Sequence, residues 1–297
     1  MKFENYLPKN AINCRSVVNL KDIDTEDVYE MLSKCIRLKI QESVGEVNYS
    51  LKNKHVMLIT NQRLGLAQVT FRLAVDKVNG HPLTIPIGGS NIVEFLSGKE
   101  SVEVLSKLKI DGFVVETSVT SDAEKLSEKM SPVINAYGGD SPISAVSYLL
   151  TVYERLHKLD GLNVCYYGCP KTVTSFLAGI AKCGMNINFV KENCQTPDET
   201  VLDYLKEFTS VTVTDDYEKA VKYCDLLYID NDYPSDYMIT NEKLEALNAS
   251  AFVLHETPLT DAVDCSIDVL DDKRCLVTDG KANTVYALSA VLELLLG

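Results

Sequence analysis

The sequence is short of positive charge. Its 29 lysines and arginines face 42 aspartates and glutamates, a formal net charge of −13, and the acids are scattered rather than gathered in a tail. Such a surface repels phosphate backbones and anionic headgroups, so nucleic acid and membrane surfaces are excluded as expected partners. Long apolar runs are missing as well: none approaches the roughly 20 residues that span a bilayer. The opening MKFENYLPKN has no signal-peptide core, so a soluble cytoplasmic protein is expected. Metal-ligand spacing is also lacking. The nine cysteines are odd in number and spread from Cys14 to Cys275, and the closest pair, Cys165 and Cys169 in CYYGC, has neither a second pair nor a histidine at ligand distance. Reduced thiols are therefore expected, with no metal and no cofactor. Internal repeats and low-complexity linkers are absent.

What the chain does have is 297 residues, 46% of them hydrophobic, enough for two medium domains with separate cores. An amphipathic helix starts near Thr25, with Val28, Met31, Leu32, Cys35 and Leu38 on one face. Strand-like runs follow at HVMLIT, PLTIPI, GFVVE and PVINA, most of them separated by helical patterns. A helix from about Pro142 to His157 leads to a second series, LNVCYYG, NINFV, VTVT, LLYID and AFVLH, and the chain closes on the amphipathic ANTVYALSAVLELLLG. Strands so spaced cannot be joined by hairpins, which predicts a parallel sheet flanked by helices in each half. The strand, turn and helix of Val56 to Gly80 form the kind of place where α/β proteins hold a phosphate.

The order of TFRLAVDKVNG, GKESVEVLSKL, SPVINA, SPISAVSYLLTVYE, GLNVCYYG, CDLLYI, HETPL and the C-terminal helix resembles the aspartate/ornithine carbamoyltransferases over most of the chain. The resemblance implies an α/β fold of two parallel-sheet domains joined by two interdomain helices. Residues 1–145 with helix 282–297 would form the carbamoyl phosphate domain, and 146–281 the amino-acid domain. It also implies a homotrimer with active sites between subunits; a degenerate homologue would assemble with itself or as a hetero-oligomer with an active carbamoyltransferase, and a small-molecule ligand is expected in the interdomain cleft.

Carbamoyl phosphate is a doubly charged phosphate with a carbonyl that must be polarised, which requires several donors and cations around one point. The resembling family supplies a Ser-Thr-Arg-Thr turn, an arginine after the next strand, His-Pro-x-x-Gln and His-Pro-Leu-Pro. Carried over position by position, most of these are replaced. Leu64, Gly65, Leu66 and Ala67 stand at the turn, Glu116 at the arginine, and Ser141 and Ser144 at the histidine and glutamine, with Pro142 retained. Lys171 and Asn231 fall near the two amino-acid-binding arginines, His255 and Pro258 survive from the last motif, and Lys99 sits one position from the lysine that a neighbouring subunit contributes. Glu256 and Asp261 bring acid where a base is implied.

Each of these residues also has a plain structural reading. Arg63, one turn before the lost arginine, is either a swinging anion ligand or a solvated surface residue. Ser141 before Pro142 suits a helix cap. His255 is either a site residue or a hydrogen-bonded core histidine, and His81 reads as a turn residue. Three functions follow: a degenerate homologue acting as a structural or regulatory subunit, a relative with a changed substrate using Glu116, Lys171, His255 and Asp261, and an ordinary aspartate carbamoyltransferase.

Overall fold

A parallel strand returns only over a crossover, so each strand here is followed by a helix or a long connection before the next begins. The computed structural model describes residues 2–60, 65–87, 103–105, 107–117, 119–191, 196–230, 240–255 and 271–297. It divides into a first unit, Tyr6–Leu150 with Lys281–Gly297, and a second, Met1–Asn5 with Thr151–Gly280.

In the first unit β1 (His55–Thr60), β2 (His81–Pro86), β3 (Gly112–Glu116) and β4 (Val133–Tyr137) form one parallel sheet in the order β2-β1-β3-β4. β2 opens on His81, paired with His55, one residue before the run PLTIPI. β1 is buried from Val56 through Thr60, as a strand covered on both faces must be. The register shifts between Val115 and Glu116, so that Glu116 pairs with Tyr137 and passes over Ala136. Such an irregularity turns a strand and re-aims the next side chain. The N-terminal arm adds at the β4 edge, where Val17 bridges to Ile134.

Helix α1 (Thr25–Ser43) carries Glu26 and Asp27 in its first turn, where acids complement the helix dipole. It buries Val28, Met31, Leu32, Cys35 and Leu38, the face read from the sequence. The helix also buries the charged residues Asp27, Glu30 and Lys34. Glu30 accepts hydrogen bonds from the Tyr6 hydroxyl at 2.7 Å, the Lys9 amide at 2.7 Å and the Asn10 amide at 2.8 Å, tying the arm to the helix. Burial first, and the Glu30 hydrogen bond second, raise the Tyr6 phenol above its usual range. Lys34 donates to Asn10 Oδ1 and to Glu293 Oε1, both at 3.1 Å.

Further helices of this unit include α2 (Leu66–Lys77), α3 (Thr120–Lys129) and parts of two helices that run into the second unit, α4 (Pro142–Leu156) and the C-terminal helix (Val277–Leu296). The unit boundaries fall inside these two helices, after Leu150 and after Gly280. The C-terminal helix begins five residues before ANTVYAL and anchors to α2 through Ser289 Oγ, which donates to the Ala74 carbonyl at 2.9 Å.

The second unit holds β5 (Asn163–Tyr167), β6 (Asn186–Val190), β7 (Val211–Thr214), β8 (Leu226–Ile229) and β9 (Phe252–His255), all parallel, in the order β7-β6-β5-β8-β9. Helices α5 (Ser175–Lys182), α6 (Glu199–Lys206), α7 (Tyr217–Val221) and α8 (Asn241–Glu245) alternate with them, and the C-terminal helix is α9. Thr174, Asp198, Asp216 and Thr240 cap α5 to α8 with side-chain oxygens. Among the described residues no helix is long and apolar enough to cross a membrane.

Replacing Glu30 strips two backbone amides and a phenol of their acceptor at once. Glu30→Ala is expected to lower the unfolding free energy by about 3 kcal/mol, measured by urea denaturation. Loss of under about 1 kcal/mol would mean that the arm is not held there.

Candidate functional site

An open parallel sheet binds ligands where its strand order reverses, outside the carboxyl ends of the strands. In the first sheet that point lies between β1 and β3, and the residues closing those strands are Thr60 and Glu116. Thr60, fully buried, donates its hydroxyl to Glu116 Oε2. Beside them Tyr137 ends β4, and its hydroxyl lies 3.0 Å from Thr70 Oγ1 of α2. The Tyr137 phenol is raised above its usual range, first by burial, while the Thr70 hydrogen bond lowers it and the nearby Glu116 charge raises it again. The helix that points its N-terminus into this region is α2, whose cap is Gly65 in extended conformation with no side-chain hydrogen bond. Backbone amides are its sole donors at Gly65, Leu66 and Ala67, none of which has a polar side chain.

Ser141 is buried, donates to the Ala136 carbonyl at 2.8 Å and accepts the Ser144 amide at 3.1 Å. It is the N-cap of α4, and its proton is directed to the backbone. Ser144 supplies its carbonyl to Ser147 Oγ at 2.8 Å within the same helix.

The reversal in the second sheet lies between β5 and β8. Asp230 follows β8, is buried, and accepts the Tyr166 hydroxyl on Oδ2 at 2.7 Å. Its amide donates to the Tyr167 carbonyl at 3.1 Å. Gly168 crosses directly over it with φ +156°, and a Cβ there would stand 2.6 Å from Asp230 Cβ. Glycine is required at this close approach. His255, also buried, closes β9 opposite Ile229, one strand further along. Lys171 is exposed in the loop between β5 and α5. Arg63, Lys99 and Asn231 lie outside the described residues, as do Leu64, Glu256, Pro258 and Asp261.

The expectation of reduced thiols fails at one position. Cys169, just past Gly168, is disulfide-bonded. Among the described residues, Cys14, Cys35, Cys165, Cys183, Cys224 and Cys275 are outside any disulfide. Sequence spacing could not reveal this, because a cross-link depends on which strand ends become neighbours. Among the described residues there is no group of three or more histidine, cysteine, aspartate or glutamate side chains able to hold a metal.

Glu116 and His255 were readable in the sequence as strand-end residues. Thr60, Tyr137, Tyr166 and Asp230 were not singled out. Thr60 and Asp230 each end or follow a strand run, but their importance comes from strand order, which the sequence does not display.

Two parallel α/β units, each with polar residues at its reversal point, define a two-domain α/β protein of the doubly wound class. Residues 15–154 match the carbamoyl-P binding domain of aspartate/ornithine carbamoyltransferase and residues 160–295 its Asp/Orn binding domain. The chain belongs to the aspartate/ornithine carbamoyltransferase family. The ornithine carbamoyltransferase of Methanococcus aeolicus is 26% identical over 302 residues, covering 93% of this chain and 98% of that protein. That of Parafrankia sp. is 28% identical over 268 residues, covering 83% and 84%. Among solved structures, ornithine carbamoyltransferase from Pyrococcus furiosus superposes with a TM-score of 0.81 at 22% identity, covering 95% of this chain and 97% of that one. Aspartate transcarbamoylase from Trypanosoma cruzi in complex with carbamoyl phosphate gives 0.82 at 19% identity over 98% of both. These structures share the fold.

The Gly168 contact can be tested by itself. Gly168→Ala forces its Cβ against the main stem of Asp230 rather than against a flexible tip, and should destabilise the chain by about 2–4 kcal/mol in denaturant titration. An unchanged midpoint would show that the loop yields.

Proposed function

We propose that this chain is a carbamoyltransferase homologue that does not transfer a carbamoyl group from carbamoyl phosphate and that serves as a structural or regulatory subunit. The observation that carries this reading is the Thr60–Glu116 pair at the β1–β3 reversal. The family resemblance implies an arginine at position 116, and a carboxylate there opposes a phosphate dianion. At ~4 Å and an effective dielectric of ~20, each pair of like unit charges costs on the order of 4 kcal/mol. The side chains of Gly65, Leu66 and Ala67 offer no compensating donor, and Ser141 is engaged as a helix cap. Losing several charged hydrogen bonds at about 1.5–3 kcal/mol each would move a micromolar ligand to the millimolar range or weaker. The α2 N-terminus returns at most ~2 kcal/mol. Calorimetric titration with carbamoyl phosphate is expected to give no saturable binding below the millimolar range. A micromolar dissociation constant would overturn the reading and restore an ordinary transferase.

The subunit role is supported by a groove of about 670 Å³ along α2 and α9. Leu66, Val69 and Leu73 are all more than half exposed on its α2 wall, at the spacing of one helix face. Val285 and Tyr286 line the other wall. We assign this face to contact with a second copy of the chain in a homotrimer. Sedimentation should give a trimer for the wild type and smaller species for Val69→Glu/Leu73→Glu. A wild-type monomer over a wide concentration range would count against it.

A second reading is favoured by Asp230. A buried carboxylate at the β5–β8 reversal suits an ammonium group, and the relatives named above include ornithine carbamoyltransferases, whose substrate carries amines. On that reading the second unit still holds an amino acid while the chemistry of the first has changed, with Lys171 and His255 as neighbouring polar groups.

A further inference from the structure

The sheet of the second unit is unevenly covered. Helices normally pack both faces of a parallel sheet, so its strands read as apolar runs. One face of β5, β6 and β7 instead carries polar residues where those strands begin. Asn163 pairs with Asn186, and one step further in Cys165, Asn188 and Thr212 lie side by side in register. All five share a face, because side chains two residues apart on a strand point the same way. The connection from β7 to β8 packs here through α7, whose Tyr217, Ala220 and Val221 share a core cluster with Cys165. That helix is five residues long. It spans about 7.5 Å, against about 17 Å for a five-residue strand, and leaves the strand starts uncovered. A notch of about 340 Å³ remains, with Cys165, Ala220 and Cys224 as a small apolar floor.

Hydrogen bonds fix what the polar wall offers. The Asp225 carboxylate accepts the Asn163 backbone N–H at 2.8 Å and the Asn163 side-chain Nδ2 at 3.4 Å. An ionised carboxylate only accepts, so Asn163 turns its NH2 group to Asp225 and its oxygen to Asn186, which donates from Nδ2 at 3.1 Å. Asn186 is left with Oδ1 as an acceptor. In the next row the Thr212 hydroxyl donates to Asn188 Oδ1 at 2.9 Å, which leaves Asn188 Nδ2 as a donor. Acceptor and donor stand about 7 Å apart along β6. Lys219 is the charged side chain of the lining. Tyr223 stands at the mouth, 71% exposed, with the Lys222 ammonium 5.5 Å from its ring centre.

These features select a ligand by charge, hydrogen bonding and size. One lysine among amides and hydroxyls cannot neutralise several negative charges, and a chain of net charge −13 repels multiply charged anions at long range. A single carboxylate can pair with Lys219. An acceptor beside a donor suits hydroxyl groups, each of which does both. The Tyr223 ring offers an apolar face with a polar tip. The volume lies at the low end of the range of about 300–1,000 Å³ for small-molecule sites, which fits one ring rather than a chain of them.

We propose that this notch binds a monosaccharide carrying one carboxylate. Asn186 and Asn188 hydrogen-bond its hydroxyls, Tyr223 covers one side of the ring and Lys219 pairs with the carboxylate. The site stands at the amino ends of the strands, whereas the β5–β8 reversal lies at their carboxyl ends, so it does not depend on how that reversal is read.

Saturation-transfer NMR on the full chain, with D-glucuronate and D-glucose as probes, tests this. Glucuronate should bind with a dissociation constant on the order of 1 mM, the range open to a ligand of about a dozen heavy atoms, and glucose about threefold more weakly. Lys219→Met should erase that difference and leave glucose unchanged. Asn186→Ala/Asn188→Ala should weaken both sugars by about tenfold or more. Those positions lie in a strand, so Tyr223→Ala, at an exposed turn position, keeps the test independent of folding and should weaken both by about threefold or more. No saturable signal below about 20 mM, or affinities that the Tyr223 and Asn186/Asn188 variants leave unchanged, would overturn the site. Equal wild-type affinities for the two sugars would overturn the role of Lys219 and the proposed ligand class with it.

Discussion

The hydrogen bond from Thr60 to Glu116 is the constraint on which the chemistry of the first unit depends. It joins the ends of the two strands that flank the sheet reversal, the place where such a sheet presents backbone amides and a helix N-terminus to a ligand. A carboxylate fastened at that place determines the sign of what can approach. Tyr137 feels the same charge, which adds to burial in raising its phenol. The register shift at Glu116 contributes as well, because it brings Glu116 opposite Tyr137.

The fold of this chain and the side chains at its strand ends answer to different constraints. The cores of both sheets are built on central strands buried along nearly their whole length, such as β1, β3, β5 and β8, and any sequence that keeps those runs keeps the positions of the two reversals. Strand-end side chains are not needed for the core, so they can change without changing the architecture. This explains how matches to both family domains coexist with a glutamate where the resemblance implies an arginine and a cap where it implies a histidine. At the reversal of the second unit stands a buried aspartate under a glycine that no other residue could replace without displacement.

Several elements were legible in the sequence. The buried face of α1, the strand runs and the start of α4 at Pro142 appear where periodicity and capping residues place them. The capping role of Ser141 was readable for the same reason, since a cap is made by residues close in the chain. The start of α9 was misplaced by five residues, because VTDGK has a weak helical pattern and is helical here as the first turn of a long helix. The cysteines were misread as uniformly reduced. Nothing in CYYGC distinguishes Cys169, which differs from Cys165 by standing beyond the strand end instead of inside the sheet.

The sequence by itself determined two parallel α/β units, their strands and helices, and the loss of basic side chains at the implied phosphate positions, since these depend on composition and on short-range periodicity. Tertiary structure alone decided which strand ends became neighbours. That choice joined Thr60 to Glu116 and Tyr166 to Asp230, pairs separated by 56 and 64 residues. Contacts at such separations depend on strand order and register, which follow from packing whole layers of side chains rather than from any local pattern.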